Sequence, residues 1–162
     1  MAITVDVAYK SLNKFSEVLC GDKVELLKTD DSNIMILADG MGSGVKANIL
    51  ATLTSKILCT MIDAGMSIED CVDTIVKTLP VCQVRKVAYS TFTIIHIEHN
   101  HTARIIQFDN PNVIFLRDGK SVDYPIVSRM IGDKTVLEST VSLQLDDTFI
   151  AMSDGAIYAG VG

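Results

Sequence analysis

The sequence predicts an α+β domain in which strands and helices are segregated rather than alternating. Three observations carry this. Short apolar strand patterns occupy the first forty residues, two stretches with helical spacing follow, and from Ala88 onward the chain reads as strands divided by turn residues. Repeats, low-complexity segments and linkers are absent from the sequence.

In chain order, Ile3 to Tyr9 alternates apolar and polar residues and predicts a strand. Val24 to Lys28 predicts a second, closed by the turn cluster Thr29-Asp30-Asp31-Ser32-Asn33. Ile34-Met35-Ile36-Leu37-Ala38 is a continuous apolar run, as in a buried strand, and it stops abruptly at Asp39-Gly40-Met41-Gly42-Ser43-Gly44. A helix is expected over Val45 to Ile62, burying Leu50, Leu53, Ile57 and Met61 against a sheet, with Ala64-Gly65 as its stop. Ser67, with Asp70 three residues later, predicts the N-cap of a second helix, which carries Val72, Ile75, Val76 and Leu79 and ends at Pro80. Tyr89 to Glu98, Ala103 to Phe108, Val113 to Arg117, Thr135 to Leu145 and Thr148 to Met152 read as strands. Asp118-Gly119 is a two-residue hairpin signal, and Asp146-Asp147 marks a turn.

Composition narrows the function. The chain has 162 residues, enough for one domain with a real core. Its net charge of -6 argues against nucleic acid, whose phosphate backbone needs a basic surface. An acidic protein still holds a phosphoryl group if metal ions supply the positive charge. No uninterrupted apolar run reaches the length of a membrane span, and the N-terminus lacks a signal pattern, so no membrane is expected for this segment. Cys20, Cys59, Cys71 and Cys82 form no C-x-x-C pair, and His96, His99 and His101 give no zinc spacing with them. They are expected to be reduced thiols of a cytoplasmic protein.

Two loops stand out for chemistry. Each is an apolar strand that ends in Asp-Gly: Ile34 to Asp39-Gly40, and Thr148 to Ser153-Asp154-Gly155. A sheet holds a carboxylate at a strand end rigidly, and glycine lets the backbone turn away. Taken singly, each Asp-Gly is no more than a turn. If two such carboxylates converge, at about 4 Å and an effective dielectric of about 20 they repel by roughly 4 kcal/mol. A divalent cation relieves that repulsion, and oxygen-only ligands select a hard ion such as Mg²⁺ or Mn²⁺. Asp22, in Cys20-Gly21-Asp22, is a third acid beside a glycine.

In combination these features resemble a known family. Asp39-Gly40-Met41-Gly42-Ser43-Gly44, with Ala47 one turn into a helix, is similar to the first metal motif of the metal-dependent protein phosphatases of the protein phosphatase 2C type, in the form of their bacterial SpoIIE branch. Gly21-Asp22, Tyr89-Ser90-Thr91-Phe92, Asn110-Pro111 and Met152-Ser153-Asp154-Gly155 match further family segments in order, so the likeness covers almost the whole chain. The resemblance implies an antiparallel β-sandwich flanked by helices. It implies hydrolysis of phosphoserine or phosphothreonine on a protein by two Mg²⁺ or Mn²⁺ ions that activate a water, with no phosphoenzyme. Asp39 would bridge the ions, the Gly40 carbonyl would bind one, Asp154 would bind from the opposite strand, and Asp22 would act from the outer shell. The implied partner is a phosphorylated protein in a bacterial regulatory circuit, such as a serine-phosphorylated anti-sigma antagonist.

The family pattern has a further aspartate on a closing strand, whereas this chain ends at Gly162, seven residues past Gly155. One domain spanning residues 1–162, incomplete at its C-terminus, is therefore expected. Weak divalent-ion binding and an uncovered sheet edge open to a second copy would follow. Two other readings stay open: a non-catalytic phosphoprotein-binding module of the same fold, and a nucleotide site at the Gly40–Gly44 loop, where Gly42-Ser43-Gly44-Val45-Lys46-Ala47 fits G-x-G-x-x-A. Arg85-Lys86 is a candidate phosphopeptide steerer, though a solvated loop is the simpler explanation.

Overall fold

The computed structural model describes residues 2–84 and 89–159, so Arg85-Lys86 lies outside the described residues. The order of elements is β1 (Asp22–Lys28), β2 (Ser32–Gly40), α1 (Gly44–Asp63), α2 (Ile68–Thr78), β3 (Ser90–Glu98), β4 (Thr102–Phe108), β5 (Ile114–Arg117), β6 (Lys120–Ser121), β7 (Val127–Ile131), β8 (Lys134–Ser142), β9 (Thr148–Ile150) and α3 (Asp154–Ile157). A six-stranded sheet runs β1-β2-β3-β4-β8-β7, and a three-stranded sheet runs β6-β5-β9. Every pairing is antiparallel. The Gly42–Ala47 run therefore opens no βαβ unit, and the dinucleotide-binding reading loses its framework.

The large sheet is covered on both faces, which explains why its central strands are apolar almost throughout. On one face Ile34, Ile36, Phe92, Ile94 and Ile106 pack with Leu58 and Ile62 of α1 and with Val72, Ile75 and Val76 of α2. On the other, Ile95, Ile105 and Ala103 meet Val113, Phe115 and Phe149 of the small-sheet region. Phe115 and Phe149 stack there with ring centroids 4.9 Å apart. The result is the expected β-sandwich with helices outside.

Two expectations fail for identifiable reasons. In α1 the buried positions are Ala47, Ala51, Thr54, Ser55, Leu58 and Ile62, while Leu53 and Ile57 are 54% and 43% exposed. At its N-terminal end the helix lies too close to the sheet for large side chains: a Cβ on Gly40 would overlap the Ala47 carbonyl, and one on Gly21 would press on the Ala47 methyl. Small residues therefore fill that part of the contact face, Leu58 and Ile62 pack further along, and Leu53 and Ile57 turn outward. By length and composition α1 would cross a bilayer, yet one face of it is packed on the sheet. The second failure is Ile3 to Tyr9, where Ile3 and Val5 are half-buried but Val7 and Tyr9 are exposed, and which joins neither sheet. Alternation makes a strand only where a ladder partner lies alongside.

Smaller departures are β6 and β7, which the sequence reading passed over, and β8 and β9, which stop short of their expected ends. The Ser67 hydroxyl accepts from Asp70 N–H at 3.1 Å, as expected of an N-cap. Asp118 and Gly119, at φ 51° and 71°, make the expected β5–β6 hairpin.

Candidate metal centre

Asp22 and Asp39 are direct partners across the β1–β2 ladder, so both carboxylates project from the same face at the same end of the large sheet. The backbone around Asp39 is fixed from three sides. Ser90 Oγ donates to the Asp39 carbonyl at 3.1 Å. Gly40 N–H donates to the Gly21 carbonyl at 2.9 Å, and Met41 N–H to the Tyr89 carbonyl at 2.8 Å. The glycine after Asp39 is a packing requirement, since α1 leaves no room for a side chain there.

Asp154 comes from the other layer. It does not cap a strand, as its sequence pattern suggested. β9 ends at Ile150, and Asp154 opens the one-turn helix α3. Its carboxylate and that of Asp22 both reach Asp39 within hydrogen-bonding range. Burial, then the charges of Asp22 and Asp154, push the Asp39 pKa from its ordinary 3.8 up to about 8.

Ser153 ties the two layers together. Its Oγ donates to Asp22 Oδ2 at 2.7 Å, and the side chain is buried. Ser153 stands at the N-cap of α3 but makes no side-chain cap, because its proton is directed at Asp22. The motif containing Ser153 was visible in the sequence, but nothing in it told that the hydroxyl would reach across to β1. Ser90 was missed for the same reason. Asn110 pins the bend after β4 to the central strand: it accepts from Thr91 Oγ1 at 3.0 Å and donates to Thr93 Oγ1 at 3.0 Å.

The donors gathered around Asp39 are oxygens, and their mutual repulsion is what a hard dication relieves, so in chemistry they fit Mg²⁺ or Mn²⁺. In arrangement they are not a finished cage. Among the described residues no three His, Cys, Asp or Glu side chains are set as a ready ligand group; the acid contacts run pairwise through Asp39. His99 and His101 are exposed, and His96 pairs with Glu98 at 3.6 Å.

The family model for stage II sporulation protein E matches residues 29–160, which hold Asp39, Asp154 and all but the first strand. The chain belongs to the SpoIIE family. Its fold is that of the PP2C-like phosphatase domains. The PP2C phosphatase domain with a regulatory-domain fragment of SpoIIE from Bacillus subtilis superimposes with a TM-score of 0.77 at 20% identity, over 90% of this chain and 44% of that one. RsbX in complex with magnesium gives 0.69 at 22% identity, over 90% of this chain and 72% of that one. The RsbU and RsbW domains of Rv1364c from Mycobacterium tuberculosis give 0.67 at 17% identity, over 88% and 42%. The chain thus spans less than half of the first and third of these SpoIIE-type structures. A comparison with curated proteins found no match.

Proposed function

We propose that this SpoIIE-family chain is the core of a metal-dependent protein serine/threonine phosphatase, with Asp39, Asp154, Asp22 and the Gly40 carbonyl as the groups that hold two Mg²⁺ or Mn²⁺ ions. The observation that carries the reading is Asp39. It is held rigidly at a strand end, and burial, then the charges of Asp22 and Asp154, raise its pKa to about 8. Carboxylates are crowded in this way where a cation belongs.

Each residue has a distinct task. Asp39, once deprotonated, would present its carboxylate to the ions at the centre. Asp22, engaged at Oδ2 by Ser153, would act with its other oxygen. Asp154, more exposed than the other two, closes the site from the small-sheet side. Bound there, the ions supply the Lewis acidity that makes water a nucleophile at neutral pH and that stabilises charge on the phosphoryl oxygens. Burial pushes the Cys59 and Cys71 thiols up and away from the thiolate form.

The substrate in this reading is a protein phosphorylated on serine or threonine in a bacterial regulatory circuit, with a phosphorylated anti-sigma antagonist as first candidate, and the compartment is the cytoplasm. Similar structures include one of the bacterial stressosome and one of RsbU and RsbW domains, which supports such a circuit. Residues 1–162 act in this reading as one phosphatase domain. The test is Mn²⁺-dependent phosphate release from phosphoserine and phosphothreonine proteins. Asp39→Asn serves as control and is expected to lose turnover. Because the acids do not form a finished cage, a non-catalytic phosphoprotein-binding module is the second reading. Phosphoprotein binding without any release would establish it.

A further inference from the structure

We propose that Asn110 is a positioning residue of the acid site: it takes the proton of the Thr91 hydroxyl and so keeps that hydroxyl off the Asp39 carboxylate, which stays open to a divalent cation. The proposal rests on the metal-centre reading above and adds to it a residue that is not itself a ligand.

Thr91 stands in the row of the acids. It is the direct partner of Asp39 across the β2–β3 ladder, as Asp22 is across the β1–β2 ladder. Side chains directly opposed in this way share a face, with Cβ atoms about 5 Å apart. A hydroxyl at that distance is placed to serve the carboxylate. Yet among the described residues the side chains bonded to the Asp39 carboxyl are those of Asp154 and Asp22. The Thr91 hydroxyl donates instead to Asn110 Oδ1 at 3.0 Å. A hydroxyl has one proton, so the proton given to Asn110 is withheld from Asp39. Ser90, the preceding residue on β3, gives its proton to the Asp39 backbone carbonyl. Neither of these β3 hydroxyls is spent on a carboxylate oxygen.

Asn110 is held so that its oxygen faces Thr91. Its Nδ2 donates to Thr93 Oγ1 at 3.0 Å, which fixes the way the amide is turned. An amide oxygen only accepts, so the direction of the Thr91 bond cannot reverse. The Asn110 side chain is buried, and the bend that carries it is secured on both sides. Asp109 before it takes a left-handed backbone, at φ 50°, which aspartate tolerates better than most residues. Val113 N–H after it donates to the buried Gln107 Oε1 at 2.7 Å. Released from Asn110, the Thr91 hydroxyl would find an ionised carboxylate a stronger acceptor than an amide. A bond from Thr91 would then occupy lone pairs of Asp39 that a cation needs, and the ion would have to displace it.

The test is titration calorimetry of the full chain with Mn²⁺ alone. Asn110→Ala is expected to raise the Kd about tenfold. Thr91→Val has no hydroxyl to release and stays close to wild type. In the double variant Thr91→Val/Asn110→Ala the affinity returns to the wild-type level, a rescue that a purely structural role of Asn110 does not produce. Melting curves in EDTA show which variants are folded. If Asn110→Ala does not fold, Asn110→Leu, whose side chain has a similar shape, takes its place in the same comparison. Wild-type affinity in the folded Asn110 variant overturns the proposal and leaves the metal centre standing. A loss that persists in the double variant, or a loss in Thr91→Val as large as that in Asn110→Ala, does the same. No Mn²⁺ binding by the wild-type chain overturns both.

Discussion

Asp22 and Ser153, 131 residues apart in the chain, are joined by a hydrogen bond of 2.7 Å that links the edge strand of the large sheet to the corner carrying Asp154. The bond decides which way Asp22 faces. Ser153→Ala frees that carboxylate to rotate, and outer-shell losses of this kind reduce metal affinity by about 10- to 100-fold. Titration calorimetry with Mn²⁺ is expected to show that loss, with Ser153→Thr, which keeps the hydroxyl, close to wild type. Equal Mn²⁺ affinity in Ser153→Ala and wild type would mean that Asp22 is oriented by something else.

Gly40 serves packing as much as chemistry. Gly40→Ala places a methyl on the Ala47 carbonyl, so α1 has to move off the sheet. Overpacking at such a contact costs about 3 kcal/mol. Gly155→Ala is the control, since its Cβ would lie 4.0 Å from the nearest atom, Ser153 Oγ. Denaturant unfolding should separate the two; similar midpoints would contradict the close helix–sheet approach.

Asp147 does more than mark a turn. It grips Arg117 through two bonds of 2.8 Å and accepts from Gln144 N–H at 2.8 Å. The Arg117 guanidinium holds its carboxyl below the ordinary range. A carboxyl with a depressed pKa contributes stability that is present above its unfolded value, about 3.9, and is lost as pH falls through the folded one. Asp147→Asn is therefore expected to be less stable than wild type at neutral pH, with the gap closing on the acid side of about pH 4. Melting curves from pH 3 to pH 7 would test it, and a gap that persists unchanged into acid would refute it.

How much was legible in the sequence follows from what each residue depends on. Asp22, Asp39 and Asp154 could be singled out because a carboxylate beside a glycine near an apolar run is a local pattern, and the fold came with the order of those patterns. Local pattern also gave Ser67 as N-cap and Asp118-Gly119 as hairpin. The exposed face of α1 was not legible. Periodicity marks Leu53 and Ile57 as apolar, but only the approach of Gly21 and Gly40 to Ala47 shows that the sheet accepts small residues there. The partners of Ser153, Ser90 and Asp147 were hidden for a similar reason: each bond joins segments that only the tertiary fold brings together. β7 was missed because Ser128 and Arg129 interrupt its apolar run; Arg129 pairs with Asp73 of α2 and Glu138 of β8.

Asp39 makes the pH behaviour of the metal-free protein a direct test of the acid cluster. Its folded pKa is about 8, against an ordinary value of 3.8. Between those values the folded chain keeps a proton that the unfolded chain releases, so Asp39 makes stability fall as pH rises through that window and level off above it. Asn at this position keeps the shape and carries no charge. In EDTA, Asp39→Asn is therefore expected to melt higher than wild type at pH 8, to converge with it toward pH 4, and to have the flatter profile between. Divalent ions reverse the order: saturating Mn²⁺ raises the wild-type melting temperature at pH 8 and leaves the variant nearly unmoved, because binding to the folded state alone stabilises it. The same variant has no phosphatase turnover in this scheme, so stability and activity change in opposite directions at one residue. Parallel pH profiles for wild type and Asp39→Asn in EDTA would show that the three carboxylates do not crowd one another, and the proposed metal centre would lose its footing.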